Sequence, residues 1–394
     1  MRRPVSAHGG RPFFIVRARW KCKKDEKTRS IRAGAGIPSG FPRRHVGDWS
    51  SHFIDSVVPF SSTPGLRDPW SPRYVGLVVA PIAATLVAWA LFMTTENLWA
   101  LFPTHGFMTL TMVAGSFVAG VSSEGGGAVA YPVMTLVFEI DPTVARNFSL
   151  AIQSVGMTAA ALYICARRIP VETTYLWLVA IGSVPGLVGG TYLVAPYVPP
   201  AYAKLAFVSF WLSYGLALFV INHVRDESAV ERLPALTLGQ QAELVGIGVI
   251  GGTLSAIFGN GVDICSFAFV TLKYRLSEKV ATPTSVTLMA FNAVLGFALH
   301  ALVLQDMQME AYRFWWVSIP VVVFGAPLGA YVVSRVPRLY IAALLYTVIV
   351  VQFGTALWVI QPALPLLLFS AGVFAFGVVL FFQLPRWGPV SASS

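Results

Sequence analysis

The sequence predicts an all-α polytopic membrane protein. It is read as two inverted repeats, each a re-entrant broken-helix hairpin plus three transmembrane helices, with one extra helix flanking the pair at each end. Three observations predict this. Only 12% of the 394 residues are Asp, Glu, Lys or Arg, while 56% are hydrophobic; a soluble domain carries roughly 25% charged residues. Eight stretches have the 20 or so mostly apolar residues that a spanning helix needs, near 75–95, 142–166, 174–195, 201–222, 279–303, 312–333, 338–360 and 363–384. Two further apolar regions, 106–138 and 241–272, are each interrupted by glycine and a polar cluster.

The chain opens with residues 1–73, which hold fifteen Lys/Arg and five Asp/Glu, whereas 74–394 hold thirteen of each. The net charge of +10 therefore belongs to a Pro-, Gly-, Ser- and Arg-rich segment with no sustained apolar period. Such a composition buries too little apolar area to offset chain entropy. It is expected to be a disordered cytoplasmic tail resting on anionic lipid, or else an over-extended translation start. The balanced remainder excludes a nucleic-acid binder. PFFIV at 12–16 is too short for a secretory h-region. Cys22, Cys165 and Cys265 lie far apart and show no metal-ligand spacing, so no disulfide framework, metal or cofactor is expected.

The remaining segments follow in order: 74–105, the first transmembrane helix and its loop; 106–222, repeat 1; 223–240, a cytoplasmic linker; 241–360, repeat 2; and 361–394, the last helix and a C-terminal tail. VARNFSL (144–150) matches VATPTSV (280–286) at an offset of 136 residues, which also sets Gly115 on Gly251, Gly125 on Gly261 and Ser149 on Ser285. GLVGGTYLV (186–194) matches GAPLGAYVV (325–333) at an offset of 139. A continuous 33-residue helix would be about 50 Å long, too long for a core of about 30 Å. Two half-helices, each about half the bilayer deep, fit better.

Loop charges support the re-entrant reading, because cytoplasmic loops are enriched in Lys/Arg. With the tail inside, Arg167, Arg168, Lys273, Arg275, Lys279, Arg335, Arg338 and Arg386 fall inside, and Glu139, Asp141, Asp306 and Glu310 fall outside. Each half then contributes three full crossings, so the second is inverted relative to the first and both termini are cytoplasmic. Broken helices meeting near the midplane of inverted repeats are a secondary-transporter architecture. Trp99, Trp177, Trp315 and Trp316 sit near span ends as interfacial anchors.

The candidate site is formed by the two breaks. Free N–H groups at a half-helix N-terminus carry partial positive charge, and glycine lets a ligand approach the backbone. Gly125, Gly126 and Gly127 in one half and Gly259, Asn260 and Gly261 in the other would together hold a small anion. Ser122, Ser123 and Asn260 add side-chain donors. The competing reading is tight helix crossing, which is preferred for Gly115, Gly120, Gly251 and Gly252.

GVSSEGGGAVAYPVMTL followed by VARNFSL, echoed by IFGNGVDI and VATPTSV, resembles the sulfite exporter TauE/SafE family over about residues 106–360. The resemblance rests on the glycine-rich break (Ser123 to Gly127), Pro132, and Ala145 to Ser149, with Gly259 to Gly261 and Ala281 to Ser285 in the second half. It implies a permease for sulfite, thiosulfate, sulfonates or related organic anions, with Ser149 and Ser285 beside the substrate. The pattern is broken at Ser123, Glu124, Val262 and Asp263, which stand where glycine or an apolar residue is usual.

An intramembrane carboxylate is costly and functional by default. Glu124 and Asp263 either couple anion movement to protons or cap half-helix N-termini. Arg146 either attracts the anion or pairs with Glu139 or Asp141. Cys265 either lines the path or is a small apolar residue. The expected function is thus a secondary carrier in the plasma (inner) membrane, partnered by a small anion, the bilayer and protons. The alternatives are a channel with re-entrant pore loops or an intramembrane enzyme. No filter sequence, GxGD or GxSG motif speaks for either, and without a GxxxxGK[ST] motif a primary pump would need another subunit.

Overall fold

A computed structural model describes residues 71–122, 125–224 and 229–383. Apart from its last three residues, the tail expected over 1–73 lies outside them, as do Ser123 and Glu124. The described chain is helical throughout: α1 (Pro72–Thr95), α2 (Leu98–Val121), the short α3 (Gly127–Pro132, prolonged by a wider turn over Val133–Val137), α4 (Pro142–Arg167), α5 (Thr173–Tyr197), α6 (Pro200–Val224), α7 (Leu238–Phe258), α8 (Val262–Lys273), α9 (Glu278–Val303), α10 (Met309–Arg335), α11 (Arg338–Ile360) and α12 (Leu364–Gln383). Among the described residues, ten of these helices are long and apolar enough to cross a membrane. Helices are the open-ended structure that satisfies every backbone group in lipid.

Local signals set the helix ends. Pro142 follows Asp141, whose carboxylate accepts from Thr143 N–H at 2.7 Å, joining an N-cap to a proline in the first turn. Glu172 caps α5 through Thr174 N–H. Thr237 and Gln240 form a reciprocal capping box at α7. At its far end α7 stops because Gly259 turns left-handed, with φ +78°.

Both interrupted regions fold back on themselves, but their arms are unequal. Each pairs a 21-residue helix segment (Leu101–Val121, Leu238–Phe258) with a much shorter return. A first arm of 21 residues is about 31 Å long, a full bilayer core rather than half of one. The short returning arms set the depth of each break, and the start of each long arm runs on past them. Phe107 of α2 stacks near Phe138, just past α3, with ring centroids 4.0 Å apart. In the other hairpin Glu243 of α7 forms an ion pair with Lys273 at the end of α8. The 136-residue offset carries Phe107 onto Glu243 and Phe138 onto Tyr274, so the two hairpins close at equivalent places by different chemistry.

Packing between elements repeats the same exchange. The long arm α2 lies along α10, and α7 lies along α5; by the sequence offsets these are one pairing made twice, each with a partner from the other repeat. Both pairs are parallel and nearly in backbone contact. A Cβ at Gly120 would lie 2.0 Å from the Ala326 carbonyl oxygen, and one at Gly182 would lie 2.0 Å from that of Val245. Small residues permit this approach where lipid offers no hydrophobic drive between helices. Gly252 is packed in the same way against Ser183, and Gly251 against Val262, whereas Gly115 meets only side chains.

Sequence-equivalent helices also touch each other directly. α4 and α9 run antiparallel, with Leu150 against Gly296 and Asn147 bonded to Asp306 and Gln308 beyond the end of α9. α6 and α11 are antiparallel too, with Gly215 against Ile349 and Asn222 donating to the Tyr346 hydroxyl.

The close α5–α7 contact yields a stability prediction. Gly182→Leu should force the two backbones apart and cost about 3 kcal/mol, the upper range for overpacking. Gly189→Leu, where an added Cβ meets nothing within 4 Å, should leave the melting temperature in detergent unchanged.

Candidate functional site

Both breaks converge on the middle of α4. At the second break, α8 starts three residues after the left-handed Gly259, and its first donors are already engaged. Val262 N–H donates to Ser255 Oγ at 3.1 Å, and Gly261 N–H donates to Asp263 Oδ1 at 3.1 Å. Asp263 lies in the first turn of α8, where the helix dipole favours negative charge. It is completely buried, and its second oxygen, Oδ2, has no hydrogen-bond partner.

Gln153 occupies the centre of α4 and reaches across to this break. Its Nε2 donates to the Gly259 carbonyl at 3.0 Å, to Ser149 Oγ at 2.8 Å and to the Ser149 carbonyl at 3.0 Å. Ser149 Oγ also donates to Gly259 O at 3.3 Å. The amide nitrogen is thus committed to holding the second hairpin, while the Gln153 oxygen, Oε1, is buried without a donor. It faces the first break. Gly125 has φ +67°, and a Cβ built there would lie 2.3 Å from Gln153 Oε1 and 3.0 Å from Asp263 Oδ2. Two orphan acceptors, one from each repeat, therefore meet beside a left-handed glycine. Buried polar groups are nearly always paired, which makes this pair of acceptors the candidate place for a donor such as a water or a proton.

Beside it lies a cavity of about 10 Å³ lined by Met112, Ser116, Ala119, Gly126, Gln153 and Gly156 among others, which is room for one water. Ser116 Oγ, also buried and without a partner, is among its walls. The N–H groups of Gly125 and Gly126, unlike those of Gly261 and Val262, meet no side-chain acceptor among the described residues.

The expected site residues fall into three groups. Gly125, Gly259 and Ser149 gather around Gln153, with Asp263 across Gly125 and Gly261 bonded to Asp263; Gly126 lines the small cavity, Gly127 opens α3, and Asn260 is buried between Gly259 and Gly261. Ser122 Oγ turns back to the Val118 carbonyl at 2.8 Å. Ser285 donates to Thr282 O on its own helix at 3.0 Å and has no contact with the Ser149 group in the bonding pattern. Ser123 and Glu124 lie outside the described residues.

Two of the expected pairings take a different form. Arg146 makes no ion pair with Glu139 or Asp141 among the described residues. Its Nε donates to Asn147 Oδ1 at 3.1 Å, and Asp306 is the carboxylate exerting the strongest pull on it. The reason is the antiparallel α4–α9 contact, which brings the 306–308 loop over the start of α4. Cys265 points away from the junction into an apolar groove walled by Phe207, Ile250, Leu254 and Phe376, so its side chain packs among apolar neighbours.

Gln153 was not among the sequence candidates. Its signal was available: it follows Ser149 by one helical turn, and a carboxamide in a span seeks a partner on a neighbouring helix. The offset also shows why the site is asymmetric. Gln153 corresponds to Met289, and Asp263 to Gly127, so each repeat supplies a group that the other lacks.

The model of the sulfite exporter TauE/SafE family matches residues 107–355, from the first half of α2 into α11. No characterised relative and no solved structure matches the chain.

Proposed function

Because the chain belongs to the sulfite exporter TauE/SafE family, a family of membrane transporters, we propose that it is a secondary carrier for a small anion. Sulfite, thiosulfate, a sulfonate or a related organic anion fits this reading. The observation that carries it is the junction of Gly125, Gln153 and Asp263, where the two hairpins meet at a pair of orphan acceptors. The breaks divide the work unequally. At the second, the opening N–H groups are held by Ser255 and Asp263. At the first, the N–H groups of Gly125 and Gly126 meet no side-chain acceptor among the described residues, Ser116 is nearby, and the anion binds there.

An ionised Asp263 would repel that anion. One proton on Oδ2 removes the charge and supplies the donor that Gln153 Oε1 lacks. Anion and proton therefore bind together, and loss of the proton expels the anion. A cavity sized for one water is too small for an oxyanion, so the hairpins must separate to admit it. Alternating access then exchanges the two repeats, a reading supported by the antiparallel course of the equivalent pairs α4–α9 and α6–α11. Arg73, Arg167 and Arg335 gather at one end, around the tyrosine cluster of α1, α4 and α10, whereas Asp141 and Asp306 lie near Arg146 at the start of α4. This supports an inner-membrane orientation with cytoplasmic termini.

The test is a substrate panel in proteoliposomes. Sulfite, thiosulfate, sulfonates and carboxylates are offered with and without a proton gradient. The expected result is flux of one sulfur-containing anion class, accelerated by an inward proton gradient. Flux of cations alone would overturn the reading.

A further inference from the structure

α1 is pinned to the bundle at its two ends and packs on it through Leu77, Val78 and Ile82, leaving a groove open on its side toward α10. Near its start, Arg73 Nη2 donates to the Cys165 carbonyl at 2.9 Å. Near its end, Trp89 Nε1 donates to the Trp316 carbonyl at 2.8 Å, and Phe92 packs against the Trp316 ring. Between these pins lies a groove of about 660 Å³, walled by Val78, Ile82 and Leu86 of α1 and by Val323, Pro327 and Leu328 of α10.

One end of the groove has a different chemistry. Tyr74, Tyr163 and Tyr331 line it together with Arg167. The Arg167 guanidinium lies 4.1 Å from the Tyr74 ring centroid and 5.9 Å from that of Tyr163, and Arg335 lies 5.2 Å from that of Tyr331. Such cation–π contacts orient an arginine without neutralising it. Among the described residues none of Arg73, Arg167 or Arg335 forms an ion pair. Arg167 in the lining, Arg73 and Arg335 beside it, none with an ion-pair partner among the described residues, and three phenols thus border the mouth of an apolar slot as long as several helical turns.

We propose that this groove is a binding site for an anionic phospholipid. One acyl chain lies between α1 and α10, and the headgroup phosphate is held by Arg167 with Arg73 and Arg335. Charge complementarity selects this occupant, since a zwitterionic lipid brings its own cation to a mouth that already holds three. The lipid would secure α1, which shares little buried surface with the rest of the bundle, to the family core.

Native mass spectrometry of the full-length protein in detergent tests this, with phosphatidylglycerol and phosphatidylcholine added in equal amounts. Wild-type protein should retain phosphatidylglycerol preferentially. Arg167→Gln and Arg335→Gln should each weaken retention about fivefold, from about 1 kcal/mol per basic residue near a lipid surface. Ala83→Trp, on the exposed lining of the groove, should expel the lipid with all three arginines intact and without disturbing the core. Equal retention of the two lipids would overturn the proposal, as would undiminished phosphatidylglycerol in the double arginine variant. Displacement of the lipid by millimolar inorganic phosphate would also overturn it, by identifying a free-phosphate site instead.

Discussion

Gln153→Leu should reduce anion flux by about a hundredfold while the protein still inserts into the membrane. Leucine keeps the volume of the side chain but removes the amide donor to Gly259 O and Ser149. The Gly259 carbonyl is then left to the longer bond from Ser149 Oγ. Leaving a buried carbonyl poorly satisfied costs about 1–3 kcal/mol, and each 1.4 kcal/mol or so is tenfold in rate when it falls on the transported state. Gln153→Glu is the informative companion. It restores a polar side chain but replaces the donor with a second carboxyl facing Asp263, so flux should recover only at low pH. Flux measured against the amount of reconstituted protein distinguishes these outcomes from simple loss of the carrier.

The second large effect is expected at Gly125. Its φ of +67° is one that an L-residue adopts at a cost of about 1–2 kcal/mol. A methyl group there would also press on Gln153 Oε1 at 2.3 Å, well inside any contact distance. Gly125→Ala should therefore abolish flux, again by about a hundredfold. The cause is predicted to be specific. Shortening the side chain opposite, in Gly125→Ala with Gln153→Ser, relieves the clash with residue 153 but not the backbone strain, so the double variant should lose clearly less flux than the two single losses combined. Such non-additivity is the signature of two residues in contact. If both losses simply add, Gly125 acts through the fold of the hairpin and not through the junction.

Much of the architecture was legible because lipid leaves the chain so few choices. Runs of 20 apolar residues and charges confined to loops located the spans to within a few residues. The matched polar breaks exposed the hairpins, since a glycine cluster inside an apolar stretch has no place in an unbroken span. What the pattern did not carry was length within each hairpin. The helix runs on through Gly106, Gly115 and Gly120 to Val121 because lipid demands that backbone groups pair within the segment, so the first arm extends until Ser122 and not to an apparent midpoint.

The candidate site was half legible for a related reason. Gly125, Gly259 and Asp263 stand out because each violates a local rule. Gln153 violates none strongly, and its importance comes from Ser149 one turn away and from a carbonyl 106 residues distant in sequence. The expectation of two equivalent helix termini also failed locally. Internal homology suggests symmetry, but Asp263 and Ser255 take up the donors of α8, and neither has a matching side chain at Gly127 or Ala119. Arg146 and Cys265 show the same limit: both sit near a break in sequence, yet helix rotation turns the first toward Asp306 and the second toward an apolar groove.

The central claim is that the charge on Asp263 decides whether the anion binds, and the pH profile of Asp263→Asn tests it most directly. In wild-type proteoliposomes sulfite flux should rise as pH falls, because protonation removes the repelling charge. Asparagine mimics the protonated carboxyl, including a donor for Gln153 Oε1. The variant should therefore exchange sulfite across the bilayer at a rate that does not change with pH over the same range, and without accompanying proton uptake. A variant that keeps the wild-type pH dependence and still carries protons with the anion would contradict the account.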